Sequence, residues 1–128
     1  MRSVLGPIEP YAYFALRVVA GFLFFFHGLQ KFGVLGGQAV GLNSLPGAAA
    51  LIETIAGPLL MVGFLTVPTA FIASGEMAFA YFIVHQPKAR WPIENGGEVS
   101  VLFCFLFLFI ATRGAGIWSA DGRGRIRA

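Results

Sequence analysis

Four apolar stretches run through this chain, separated by short segments rich in glycine, proline or charged residues. A helix that crosses a bilayer needs roughly 20 apolar residues, and each stretch is about that long. The pattern therefore predicts an all-α protein, an antiparallel four-helix membrane bundle that residues 1–128 form as a single domain. The predicted helices cover about residues 11–32, 46–65, 67–85 and 97–114.

Capping residues and prolines indicate where these helices begin and end. Gly33 suits the left-handed turn that ends a helix, and Ser44 is of a type that caps the start of the next one. Thr66 and Pro68 repeat the cap-and-proline signal almost directly after the second helix. Helices two and three are therefore predicted to form a tight hairpin, with a bend in helix two at Pro58, which lacks a backbone donor.

The composition predicts an integral membrane protein. Hydrophobic residues make up 57% of the 128 residues and charged residues only 12%, with a mean hydropathy of +0.77. Soluble domains carry about 25% charged residues. Four spans use most of the chain, so no room is left for a soluble catalytic domain. Membrane lipids are expected partners, and nucleic acid is not.

Basic residues in the short loops predict the orientation in the membrane. The net charge is +3, and the side that carries both termini holds more lysine and arginine than the opposite side. The two sets are Arg2, Arg113, Arg123, Arg125 and Arg127 against Lys31, Lys88 and Arg90. Because basic loops stay in the cytoplasm, both termini are predicted to be cytoplasmic.

Six ionisable side chains lie inside the apolar stretches, where a charge costs roughly 3 to more than 10 kcal/mol. They are Arg17, His27, Glu53, Glu76, Glu98 and Arg113. Helical spacing places Arg17, Gly21, Phe24, Gly28 and Lys31 on one face of helix one, with His27 beside them. Glu53, Gly57 and Leu60 form a similar stripe on helix two, and Ala73, Glu76, Ala80 and Ile83 form one on helix three. These stripes are predicted to face one another in the core.

The depths of these residues predict a polar core or a ligand pocket. With a rise of about 1.5 Å per residue, His27 and Glu53 lie at similar depths, and Lys31, His85 and Glu98 lie near the boundary opposite the termini. The candidate pocket residues are Arg17, His27, Lys31, Glu53, Glu76, His85 and Glu98. No catalytic residue is assigned among them.

Purely structural roles are open for the same residues. Arg17 is predicted to pair with an acidic residue, Glu53 or Glu76, and so to hold the helices in register. Asn95 and Glu98 have the spacing of a capping box. His27 fits a hydrogen-bonded core histidine, His85 a solvated interface residue, and Arg113 a side chain that reaches the membrane surface.

A metal site and a haem site are only minor alternatives. His27 and His85 with Glu53 and Glu98 offer ligands of suitable types, but no helix carries two of them at the spacing that bundle metal sites often use. A haem held by both histidines would need the two rings at one depth, and they lie about two turns apart. The single Cys104 lies in an apolar run and offers no thiolate cluster.

Several segments, taken in order, resemble a known family. They are Arg17 to Lys31, Glu53 to Gly57 with the later Gly63, Met77 and Ala80, Glu98 at the head of helix four, and Gly114 to Asp121 at the end. Together they resemble the DoxX family of small bacterial membrane proteins. Two positions depart from its pattern: Ala115 stands where a proline is common, and Ala120 where a leucine is common.

The resemblance implies a four-helix bundle in the bacterial inner membrane and an association with redox chemistry. Relatives in the family include a subunit of a thiosulfate:quinone oxidoreductase and a membrane partner of thiol- and superoxide-detoxifying enzymes. A protein partner or a homo-oligomer in the membrane is implied, and quinone is the cofactor that such systems use.

Two functions therefore stay open from the sequence. The first is a membrane-embedded accessory or anchoring subunit of a quinone-linked or thiol-linked redox system, more a non-catalytic subunit than an independent enzyme. The alternative is a stand-alone small membrane oxidoreductase or proton-coupled carrier with a relay of Glu53, Glu76 and His27.

Overall fold

The computed structural model describes residues 3–124 and is all-helical over that range, which confirms the predicted fold class. The basic residues Arg2, Arg125 and Arg127 lie outside the described residues, as does the side chain of Arg123. The helices are α1 (Glu9–Lys31), α2 (Leu45–Val62), α3 (Thr66–Ala80), the short α4 (Pro92–Asn95) and α5 (Glu98–Arg113). A π-helical turn, Tyr81–His85, extends α3.

Between residues 3 and 124, three helical segments are long and apolar enough to cross a membrane: Gly6–Lys31, Leu45–Val62 and Thr66–His85. The fourth long helix, α5, has 16 mostly apolar residues. Large apolar side chains such as Phe71 and Leu102 are exposed around the bundle, as expected for a surface that contacts lipid tails. The chain is thus a multi-pass membrane protein.

Helix α1 packs along α2, and α3 packs along α5. The α1–α2 contact is close because it is made by glycines: a Cβ on Gly21 would lie 2.6 Å from the carbonyl oxygen of Gly57. Between α1 and α5 the space is filled by rings instead, with Phe24 against Phe107 at a centroid distance of 4.7 Å. The predicted core stripe of α1 is confirmed for Arg17, Gly21, Phe24 and Gly28, which are buried, whereas its fifth member, Lys31, is partly exposed.

Of the two predicted helix caps, one is confirmed and the other is wrong. Ser44 caps α2 as predicted, and its hydroxyl oxygen accepts from the backbone N–H of Gly47 at 3.2 Å. The prediction that Thr66 caps α3 is wrong. Thr66 is the first residue of α3, and the Asp121 carboxylate, from beyond the end of α5, accepts from the backbone N–H groups of Leu65 and Thr66 at 2.9 and 2.8 Å.

Candidate functional site

A cavity of about 810 Å³ opens between the helices at the end of the bundle away from the termini. Most of its lining is apolar, with contributions from Ile52 on α2, Ile72 on α3 and Phe103 on α5. Its polar lining residues are His27, Lys31, Glu53, Glu76, His85 and Ser100. The cavity therefore brings together five of the seven candidate residues, and adds Ser100, which the sequence did not single out.

An ion pair joins α1 to α2 in the cavity lining. The Lys31 Nζ donates to both carboxylate oxygens of Glu53, at 2.8 and 2.6 Å. Glu53 is only 1% exposed, whereas Lys31 is 29% exposed and reaches the pair from the last turn of α1. A buried carboxylate needs such a partner, because an unpaired charge there costs several kcal/mol.

Glu76 approaches the same pair from α3. Its carboxyl group lies near that of Glu53 in the cavity lining. Among residues 3–124, the buried Oε2 of Glu76 has no hydrogen-bond donor. The structure thus places two carboxyl groups and one ammonium group side by side in the cavity wall.

The two histidines stand at different points of the cavity. His27 is exposed and sets its ring edge-on to Phe103 at 5.9 Å, so the prediction of a hydrogen-bonded core histidine is wrong. His85 ends the π-helical turn, a feature often found at functional sites. Its Nδ1 lies 3.2 Å from the carbonyl oxygen of Asn95, which fixes the ring.

Arg17 lies outside the cavity, and the predicted ion pair with Glu53 or Glu76 is wrong. The guanidinium is fully buried and donates to backbone carbonyl oxygens, at 2.6 Å to Leu60, 2.9 Å to Met61 and 3.2 Å to Trp118. The last carbonyls of a helix have no partner within it and carry partial negative charge. They can therefore hold a guanidinium without a carboxylate.

The segment after α5 closes the end of the bundle near the termini, in contact with Arg17. The backbone N–H groups of Ala120 and Asp121 donate to the carbonyl oxygens of Val62 and Gly63, at 3.1 and 2.9 Å. Burial acts to raise the pKa of Asp121, but the backbone hydrogen bonds from Thr66 and Leu65 outweigh it and hold that pKa below its ordinary value. The sequence showed this segment only as part of the family resemblance.

Glu98 is also outside the cavity lining, and the predicted capping box is wrong. Glu98 is exposed at the first position of α5, which has no side-chain cap. Gly96, with φ +72°, separates α4 from α5. The Asn95 side chain therefore forms its hydrogen bonds within the loop that precedes α5. Its Oδ1 accepts from Gly97 N at 2.8 Å and its Nδ2 donates to the Ala89 carbonyl oxygen at 3.1 Å.

At the opposite end of α5, Arg113 forms an ion pair with Glu9 and lies 4.2 Å over the ring of Tyr13. Within the described range, 3–124, no three His, Cys, Asp or Glu side chains come together as metal ligands. The ligand set of His27, His85, Glu53 and Glu98 is thus not assembled.

Comparison with known proteins identifies relatives of this chain. The sequence model of the DoxX family matches residues 12–86. A protein of Haemophilus influenzae strain Rd, described as uncharacterized, is 36% identical in an alignment 127 residues long, which covers 93% of this chain and 95% of the relative. No solved structure matches the chain.

Proposed function

Since the chain belongs to the DoxX family, whose members are small membrane proteins, we propose that it is an accessory subunit of a quinone-linked or thiol-linked redox system. In this function the cavity at the end away from the termini receives the head group of a quinone. The observation that carries the proposal is the cavity itself, in which apolar walls from three helices surround a small set of ionisable groups.

The dimensions and the lining of the cavity suit such a ligand. Small-molecule sites commonly enclose about 300–1,000 Å³, with mostly apolar walls and a few polar groups that fix orientation. The cavity of about 810 Å³ lies in that range. His27 has a ring nitrogen to offer to an oxygen of the head group, and the apolar side chains of Ile72 and Phe79 offer a surface to a ring or an isoprenoid tail.

The electron transfer is assigned to a partner protein. The carboxyl, imidazole and ammonium groups of the cavity can bind a head group or move a proton, but they do not carry electrons at biological potentials. A membrane subunit of this type would hold the lipid-soluble substrate beside a redox partner. We place the protein in the bacterial inner membrane with both termini in the cytoplasm, where the basic residues near the termini meet anionic lipid.

One observation favours a second candidate, a proton-coupled carrier or stand-alone oxidoreductase. The adjoining carboxyl groups of Glu53 and Glu76 are the kind of intramembrane groups that relay protons. His27 lines the same cavity and would extend the relay. This function needs no partner protein for proton movement.

Purification from native membranes in lipid nanodiscs distinguishes the two functions. The accessory function predicts that quinone and a redox enzyme are recovered with the protein, and that His27→Ala lowers the quinone recovered per folded protein. Gln30→Ala, an exposed residue of α1 that does not line the cavity, is the matched control and retains wild-type recovery. Absence of quinone and of any redox protein contradicts the accessory function, and proton flux in liposomes that hold this protein alone supports the carrier.

A further inference from the structure

The cavity is bounded mainly by two helices that diverge from a tight turn. Helix α2 ends at Val62 and α3 begins at Thr66, at the end of the bundle near the termini. Within the described range, 3–124, α2 lines the cavity only at positions between 45 and 53, and α3 with its π-helical turn only between 72 and 85. Both sets lie in the parts of these helices that are remote from the turn. The cavity is therefore a gap that opens as α2 and α3 separate.

The other sides of the cavity are closed by packing. Helix α1 packs along α2, and α3 packs along α5, whereas α2 and α3 contact each other much less closely. Between α1 and α5, the rings of Phe24, Phe103 and Phe107 contact one another and fill the space. The side between α2 and α3 is therefore the one at which the cavity meets the surface of the bundle.

The side chains at this opening are apolar and exposed. Ile72 and Phe79 of α3 line the cavity and are 56% and 52% exposed. Leu45 at the start of α2 and Ile83 in the π-helical turn have the same two properties. A side chain that lines a cavity and is also exposed lies at the rim of the opening. In a membrane-spanning bundle, an exposed apolar rim of this kind contacts lipid tails.

The opening extends along much of the length of α3. The π-helical turn that extends α3 ends at His85, and Glu76 and Ile72 come nine and thirteen residues before it. A rise of 1.5 Å per residue places them about 14 and 20 Å from His85, against about 30 Å for the hydrocarbon layer. The opening thus reaches the level of the lipid tails, and the ionisable groups of the cavity lie beside it rather than above it.

We infer that the cavity takes its ligand sideways from the membrane, through the opening between α2 and α3. The head group reaches Lys31, Glu53 and Glu76, and the tail stays in the lipid beside Ile72 and Phe79. This inference rests on the proposed function, and it defines the ligand class as a membrane-dissolved amphiphile with one polar head group. Such a ligand does not leave the bilayer, because only its head group exchanges lipid for protein.

This route predicts how affinity depends on the length of the tail. If the tail lies in lipid in both the free and the bound state, added methylene groups leave the affinity for the membrane-dissolved ligand unchanged. A tail that projected into water in the bound state would weaken binding by about fourfold for each added methylene. A tail enclosed by the protein would stop fitting once the cavity is full. Tail length therefore distinguishes a sideways opening from the other two arrangements.

Three ligands with one head group provide this test: hexyl-, decyl- and tetradecylbenzoquinone. Nanodiscs with and without the full-length protein are equilibrated with each ligand, and the bound excess is measured by chromatography. The dissociation constant is expressed as the mole fraction of ligand in the lipid. We expect the same constant for all three ligands, whereas a tail in water would weaken binding by about two-hundredfold between the hexyl and decyl compounds.

A pair of matched variants tests the place of the opening. Ile72→Trp adds bulk at the rim and should weaken decylbenzoquinone binding by about tenfold, as an overpacked site does. Ile55→Trp makes the same change at a position of α2 that is 61% exposed but outside the cavity lining, and should bind as the unmodified protein does. Size-exclusion chromatography verifies that both variants are folded. The tail series uses the unmodified protein and does not depend on either variant.

Three results overturn the inference in distinguishable ways. If binding weakens steeply as the tail lengthens, the tail does not lie in lipid, but the cavity still binds a quinone head group and the proposed function stands. If the tail has no effect but Ile72→Trp binds as Ile55→Trp does, the ligand does not pass between α2 and α3, and the proposed function again stands. If no ligand binds beyond its partition into empty nanodiscs, the proposed quinone site fails together with the sideways route.

Discussion

Arg17 on α1 donates at 2.6 Å to the carbonyl oxygen of Leu60, in the last turn of α2. The contact joins a fully buried cation to the negative end of a helix. No carboxylate in the described part of the chain, residues 3–124, forms an ion pair with this guanidinium. Its role is therefore to hold α1, the end of α2 and the segment after α5 together.

Replacing Arg17 should destabilise the bundle without any loss of an ion pair. Arg17→Leu leaves the carbonyl oxygens of Leu60, Met61 and Trp118 without their donor, and each buried unsatisfied group costs about 1–3 kcal/mol. We expect a loss of about 3 kcal/mol or more in the free energy of unfolding, measured by denaturant titration in detergent. Arg90→Leu, at an exposed loop position, is the control and should change little. Equal stability of the two variants would contradict this assignment.

The Lys31–Glu53 pair should show strong coupling in a double-mutant cycle. Lys31→Met leaves the Glu53 carboxylate buried without a cation, and breaking a buried pair costs up to about 3–5 kcal/mol, less here because Lys31 is partly exposed. The double variant Lys31→Met/Glu53→Leu removes both charges and should regain much of that loss. Thermal unfolding of the four proteins gives the coupling, and purely additive effects would show that the pair is not a unit.

The cap that Asp121 places on α3 should be lost in acid. Its pKa is lowered in the folded state, so the carboxylate adds stability above its unfolded value of about 3.9, and this stability is lost as pH falls through the folded pKa. Asp121→Ala should cost about 1 kcal/mol near neutral pH, as for a lost cap, and should unfold with a weaker dependence on pH below about 4. Unfolding midpoints across this pH range test it, with Glu94→Ala as an exposed acidic control. An unchanged pH profile for Asp121→Ala would contradict the cap.

Two Gly→Ala substitutions should differ in sign according to helix packing. A Cβ at Gly21 would lie 2.6 Å from the Gly57 carbonyl oxygen, so Gly21→Ala must push α1 and α2 apart, at a cost of about 1–3 kcal/mol. At Gly75, on α3, no atom lies within 4 Å of the added Cβ, and Gly75→Ala should be neutral or stabilise the helix by up to about 1 kcal/mol. Denaturant titration of both variants provides the comparison. Equal effects would show that α1 and α2 are not packed this closely.

How much of the structure could be predicted depends on how far apart the interacting residues lie along the sequence. The helical period of apolar residues was enough to predict the buried face of α1 and the burial of Glu53, Gly57 and Leu60 on α2. It was also enough to suggest that His27, Glu53, Lys31 and His85 lie around one pocket, although Glu98, expected with them, is outside the lining. These relationships follow from geometry within a helix and from the depths of the residues in the membrane.

The interactions that the sequence did not predict are those with backbone groups far along the chain. The carbonyl oxygens that hold Arg17 belong to two apolar residues, Leu60 and Met61. Nothing in their side chains indicates that the backbone binds a cation. Asp121 caps a helix that begins 55 residues earlier than itself, and Thr66 offered a plausible local cap instead. A pattern along the chain has no information about such partners until the tertiary structure is formed.

The position of Asp121 has a consequence for biogenesis. The start of α3 receives its cap, and Arg17 its contact with Trp118, from residues that are synthesised after all the long helices. The first three long helices therefore enter the membrane while one helix end and one buried cation still lack these partners. A chain that stalls or is cleaved before Gly114 keeps both defects, and membrane proteases that recognise loose helix ends could use them to tell such a copy from one that carries the segment after α5.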